Sequence, residues 1–407
     1  MNPKALDRFL ALLPTYDHAK GIPLFDELAQ DPANAGPILN ELLFVVATHE
    51  DPQVHTPHGL LTVHAAREAL LLTRPPGGTG LLRFLVLYNF SLPKRALRPS
   101  EAETRARSVP PGGVDSMGSA YRKAVSGNMP EQAEAVLLRI AVEHGLEAAT
   151  HLVLRTSLDD LGRLGHNLSM ALAYGDTAMF LGLPRGLVPL ASVARSQALL
   201  LANASPVVIP EERTAPEEPA DVALLGELVE AWEFDRVLGV LEALAHGGNA
   251  EAAYGPLLVA ASADPGFLGH TLSLVHSARR AASYLSPGEN AWLLWKLYRT
   301  LTTRFGYPEF LRLGSGVSID RESVLAALES SLLYKSPPAE ATVRQALEGG
   351  VPLAEVLAHV VDFYGRWTVG EKEHTISYLN AALETAGFLG REQALLPLAI
   401  ALSKLPF

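Results

Sequence analysis

Four histidines, His58, His166, His270 and His374, each open a similar apolar phrase: GLLTVHAA, NLSMALAY, TLSLVHSA and TISYLNAA follow them in turn. They succeed one another at steps of 108, 104 and 104 residues. Leu or Ile stands two positions on in every copy, and Ser three positions on in the last three. Imidazole is the commonest side-chain metal ligand and the side chain that exchanges protons near neutral pH. Histidines recurring in one context therefore raise two chemistries, metal ligation and proton carriage.

Their companions alternate. His58, His64, Arg67 and Ala69 recur as His270, His276, Arg279 and Ala281, always 212 residues later. His151 stands 15 residues before His166, and His359 stands 15 before His374, with a shared offset of 208. Eight of the 13 histidines fall in this pattern, which reads as a duplicated pair of units. On a helix, residues six apart differ by about 120° in direction and about 9 Å in height, so His58 and His64 cannot share one metal. A metal would need imidazoles from several helices: His58, His166 and His151 with a nearby carboxylate, and the copies His270, His374 and His359. Imidazole and carboxylate without thiolate suit non-haem iron, manganese or zinc. His64 and Arg67 lie three apart and share a helix face, as do His276 and Arg279. A buried Arg needs a fixed partner or an anionic ligand, so these four are the candidate catalytic residues. The competing reading makes every repeated histidine a buried structural residue, copied along with the fold.

Helices must position these groups. Apolar residues recur at helical spacing through most of the chain, as in Leu6, Phe9, Leu10 and Leu13, where Pro14 then stops the run. Pro130 and Gly145 bracket another segment in the order expected of a helix start and stop. Asp160, Asp264 and Thr368 lie six residues before a key histidine, and Glu371 completes a capping box with Thr368. This spacing places the histidine in the second helical turn; Thr56-Pro57 makes the first unit depart. Residues 93–113, rich in Pro and Arg, read as a long loop, either a solvated connector or an anion-contacting lid. Residues 306–320 read as another loop, and residues 205–220, with four prolines and four glutamates, as a linker. The expected fold is all-α: four tandem multi-helix units of about 104 residues, the steps noted above, arranged as two halves. The halves are residues 1–204 and 221–407.

Composition excludes several function classes. The chain has 407 residues, 48% hydrophobic and 19% charged, with a formal net charge of −11. That charge opposes nucleic acid as a partner. With no cysteine, disulfides, a thiol nucleophile, thiolate zinc and cysteine-held iron–sulfur clusters are excluded. The N-terminal stretch lacks a signal-peptide pattern and no run is long enough to span a bilayer, so a cytoplasmic protein is expected. Dinucleotide, P-loop, GxSxG and HExxH patterns are absent. Trp232, Trp292, Trp295 and Trp367 read as core residues.

The phrase LGHTLSLVHSARRAASYL, residues 268–285, resembles a group of His-rich all-α proteins that includes the questin-oxidase-like family and helical regions found beside Rieske domains. The resemblance rests on His270, His276 and Arg279 and on the copies His58, His64 and Arg67. It implies an oxidoreductase acting on a small organic molecule, with NADPH as a cofactor; lacking cysteine, the chain carries no Rieske cluster itself. Two functions stand side by side: this oxidoreductase, with a His-lined site between helical repeats, and a helical-repeat binding or scaffold protein whose histidines only pack.

Overall fold

A computed structural model describes residues 3–48, 58–73, 78–92, 97–161, 163–205, 207–209, 218–301, 313, 320–334, 338–367 and 372–404. Among them there are α-helices and short 3-10 turns and no strand. The protein is all-α. Two compact units emerge, one of residues 1–67 with 75–207, the other of residues 68–74 with 208–407.

The first unit contains α1 (Pro3–Leu12), α2 (His18–Leu28), α3 (Ala35–Val46), α4 (His58–Leu70), α5 (Thr79–Ser91) and α6 (Pro99–Arg107). It continues with α7 (Val114–Ser126), α8 (Pro130–His144), α9 (Leu146–Ser157), α10 (His166–Leu181) and α11 (Leu187–Leu200). The last residues of α4 are grouped with the second unit. Helix α7 shows why these segments are helical: Met117, Tyr121, Ala124 and Val125 recur on one face and are buried. The Tyr121 hydroxyl donates to Gln197 Oε1 at 2.7 Å, and Gln197 Nε2 donates to the Val153 carbonyl at 2.9 Å. A buried polar chain thus joins α7, α11 and α9 without an unpaired group in the link.

The second unit contains α12 (Val222–Ala231), α13 (Phe234–His246), α14 (Ala250–Ala263), α15 (His270–Ala281) and α16 (Pro287–Thr300). It ends with α17 (Arg321–Tyr334), α18 (Ala339–Glu348), α19 (Leu353–Trp367), α20 (Lys372–Leu389) and α21 (Leu395–Lys404). Here α15 packs against α14 and α20, and α20 in turn against α21. Of the four tryptophans, Trp232 leans on Tyr298, while Trp292 and Trp295 stack with ring centroids 4.9 Å apart. Trp367 departs from the expected core role, being 45% exposed. No helix among the described residues is long and apolar enough to cross a membrane.

Two sequence expectations need correction. Residues 93–113 are not one long loop, because α6 occupies Pro99–Arg107. The Arg98 backbone N–H donates to Glu101 Oε2 at 3.0 Å, and Pro99 takes the first helical position. Ala102 and Ala106 are buried on one face, and Arg105 pairs with the fully buried Glu134 of α8. Arginine-rich composition concealed a short amphipathic helix docked through an ion pair.

The second correction concerns the helix starts. His166 and His270 are the first residues of α10 and α15, not members of a second turn. Each follows a Leu-Gly pair in the left-handed region: Leu164 at φ 61° with Gly165 at 81°, and Leu268 at 50° with Gly269 at 79°. A left-handed leucine is rare, which is why the upstream aspartates read as caps. Asp160 instead offers its carbonyl to Asn167 Nδ2 at 2.9 Å, and Asp264 accepts from the Gly266 N–H at 3.3 Å. The expected caps at Thr56-Pro57, Thr368 and Glu371, the loop at 306–320 apart from residues 313 and 320, and the linker at 205–220 apart from its flanks lie outside the described residues.

Candidate functional site

Within the first unit, α4 and α10 run in the same direction and meet at three levels. The His58 and His166 rings lie edge to face with centroids 5.3 Å apart. A nitrogen of each lies within 4.8 Å of the other. Further along, His64 Nε2 approaches Asp176 Oδ2 at 3.3 Å, both side chains only 10% exposed. Beyond that, the Arg67 guanidinium sits 4.3 Å over the Phe180 ring.

Within the second unit, α15 and α20 repeat all three contacts. The His270 and His374 rings have centroids 5.0 Å apart. His276 Nε2 lies 3.4 Å from Glu384 Oε2. Arg279 sits 4.7 Å over Phe388. Every residue of α4 in these contacts has its counterpart 212 positions on, and every residue of α10 has its counterpart 208 on.

The turn before the histidine recurs too. The N–H of the residue after it bonds back across the Leu-Gly pair, Asn167 to the Leu161 carbonyl at 3.1 Å and Thr271 to that of Pro265 at 2.9 Å. No side chain fits at Gly269, where a Cβ would fall 2.2 Å from Tyr378 Cγ. The turn delivers His270 with its Nδ1 hydrogen-bonded to the Phe267 carbonyl. Since a carbonyl only accepts, that nitrogen carries the hydrogen, and Nε2 keeps the lone pair. Burial pulls this imidazole below its ordinary pKa; the Phe267 carbonyl opposes the shift and the nearby His374 adds to it. His270 is therefore a neutral imidazole with a defined tautomer, the state in which a histidine binds a metal or takes up a proton.

His151 and His359 occupy other helices, α9 and α19. Neither belongs, among the described residues, to a group of side chains close enough to share an ion. His359 hydrogen-bonds the Leu325 backbone of α17, and burial lowers its pKa against the opposing pull of Glu329 and Asp362. The structure therefore joins His58 to His166 and His270 to His374, and sets His151 and His359 apart.

His64 and Arg67 do project to the same neighbouring helix, as do His276 and Arg279. Their partners Asp176, Glu384, Phe180 and Phe388 were missed from the sequence. The signal was present: the offset of 208 that relates His166 to His374 also relates Asp176 to Glu384 and Phe180 to Phe388. Around Glu384 the charges gather further. Arg280 Nη1 lies 3.5 Å and Arg279 Nη2 3.9 Å from Oε2, and Asn380 Nδ2 donates to Oε1 at 2.8 Å.

Chemically, each helix pair offers two imidazoles for a cation, a third imidazole held by a carboxylate, and a guanidinium one turn further on. The chain matches no family model, no curated protein and no solved structure.

Proposed function

We propose that the protein is a metal-dependent oxidoreductase in which the paired histidines of each half, His58 with His166 and His270 with His374, hold a non-haem metal, and which acts on a small organic anion. One observation carries the metal assignment: the His–His contact, the His–carboxylate contact and the Arg–ring contact recur as a set in both halves. A buried ion pair contributes little net stability and is often replaceable by apolar residues. Its retention in both copies, through a change of carboxylate length, is better supported by chemistry than by packing. In this reading His64 and His276 are proton carriers oriented by Asp176 and Glu384. Arg67 and Arg279 hold the anionic group of the substrate. The tautomer fixed at His270 by the Phe267 carbonyl supports its role as a ligand through Nε2. Iron, manganese and zinc all suit imidazole with oxygen donors. The redox class and NADPH rest on the resemblance of residues 268–285 alone.

The second reading is a helical binding or scaffold protein, and His359 favours it: this member of the repeat pattern only ties α19 to α17. Metal analysis and a visible absorption spectrum of the purified chain separate the two. We expect stoichiometric metal that is lost in the double variant His58→Ala/His270→Ala while its circular dichroism stays helical. A metal-free wild type that takes up no Fe(II), Mn(II) or Zn(II), with loss of folding in the double variant, would overturn the metal reading in favour of packing.

A further inference from the structure

We propose that Tyr378 is a third protein ligand at the His270–His374 pair, making the second-half centre a two-histidine, one-phenolate site; the inference rests on the metal reading above. Tyr378 lies four residues after His374 on α20, on the same helix face. Long side chains on a helix lean toward its N-terminus, over the preceding turn, which directs this phenol toward His374. The base of its ring packs on Gly269, the residue immediately before His270, so closely that no Cβ could stand there. The base of the ring thus lies against the residue that precedes one imidazole, on the helix that carries the other. Tyr378 is 4% exposed, and its hydroxyl is buried without a hydrogen-bond partner among the described residues. Leaving a buried hydroxyl unpaired costs about 1–3 kcal/mol, and a bound cation would satisfy the oxygen.

A tyrosine hydroxyl keeps its proton at neutral pH unless a cation takes its place. Metal binding breaks the O–H bond, releases the proton to solvent and forms an oxygen–metal bond, with no electron transferred. The first half cannot do this. Met170 stands 208 positions before Tyr378, and a thioether has no proton to lose.

The test titrates the metal-depleted full chain with Cu(II), the tightest-binding divalent probe for such donors. Absorbance, resonance Raman and calorimetry in two buffers of different ionisation enthalpy are read together. We expect a visible phenolate-to-copper band, tyrosinate Raman modes and proton release in step with the band. Tyr378→Phe should remove the band and weaken that site at least about tenfold, while Met170→Leu leaves the band intact. Copper uptake without band or tyrosinate modes, or a band that survives in Tyr378→Phe, overturns the ligand assignment and leaves the metal reading standing. No copper uptake at all overturns both. The Raman modes report on the wild type, so the outcome does not depend on the variant folding.

Discussion

In the first unit His64 meets an aspartate; in the second His276 meets a glutamate that also draws Arg279, Arg280 and Asn380. Glutamate is one methylene longer, and in a close-packed interior a methylene is felt. Yet the imidazole-to-carboxylate distances are 3.3 Å and 3.4 Å. The contact is matched in the two helix pairs despite the difference in side-chain length. What the two helix pairs share is the placement of one charge on one ring, not the shape around it. The surroundings have diverged: Arg280 occupies the place of Glu68, and Tyr378 that of Met170. The two helix pairs thus differ in the donors and the charge they offer.

Three perturbations test how far that likeness extends. The largest effect is expected at Gly269→Ala, where a left-handed backbone and a Cβ clash with Tyr378 coincide. A loss of about 3–4 kcal/mol is expected in urea unfolding. Gly165→Ala, at φ 81° in the matching turn, should lose about 1–2 kcal/mol from backbone strain. Equal losses would mean that the packing of Tyr378 on this turn contributes nothing special.

Next in size, Glu384→Gln should cost more than Asp176→Asn. Neutralising Glu384 strips the carboxylate charge from beside Arg279 and Arg280, an effect of about 2–3 kcal/mol. For Asp176 about 1–2 kcal/mol is expected from its contact with His64. Double-mutant cycles with His276→Ala and His64→Ala isolate each pair; a coupling as large at Asp176 as at Glu384 would erase the distinction between the halves.

The smallest effect is a pH dependence at His359, whose counterpart is His151. Burial holds the folded-state pKa of His359 below the ordinary histidine value of 6.5. The unfolded chain then binds the proton more readily, so its contribution to stability is present above pH 6.5 and lost as pH falls toward the folded value. The urea midpoint should drop over that interval, and His359→Gln should flatten the slope by less than one proton. A slope unchanged by the substitution would place the acid sensitivity elsewhere.

Much of this was legible in the sequence. Helical periodicity and the Pro130 to Gly145 bracket gave the all-α class, and α8 spans Pro130–His144. The offsets of 212 and 208 identified which histidines correspond. Which side chains meet was harder, because a pairing is a property of two helices and each pattern was read along one. Asp176 and Glu384 sit within apolar helices where an acid reads as an exception rather than a partner. Leu164 and Leu268 misled the helix starts, since nothing in a leucine announces a left-handed backbone. Helix α6 was hidden because four arginines and several prolines around it outweighed two alanines at helical spacing.

The Leu-Gly turn has an electrostatic consequence. By ending the 3-10 turn at Gly269 it makes His270 the opening residue of α15, at the pole where the aligned peptide dipoles leave partial positive charge. A proton arriving on that ring would meet the helix's own field. The turn thus helps to hold His270 as an electron-pair donor, and the fold sets this before any cofactor or substrate is present.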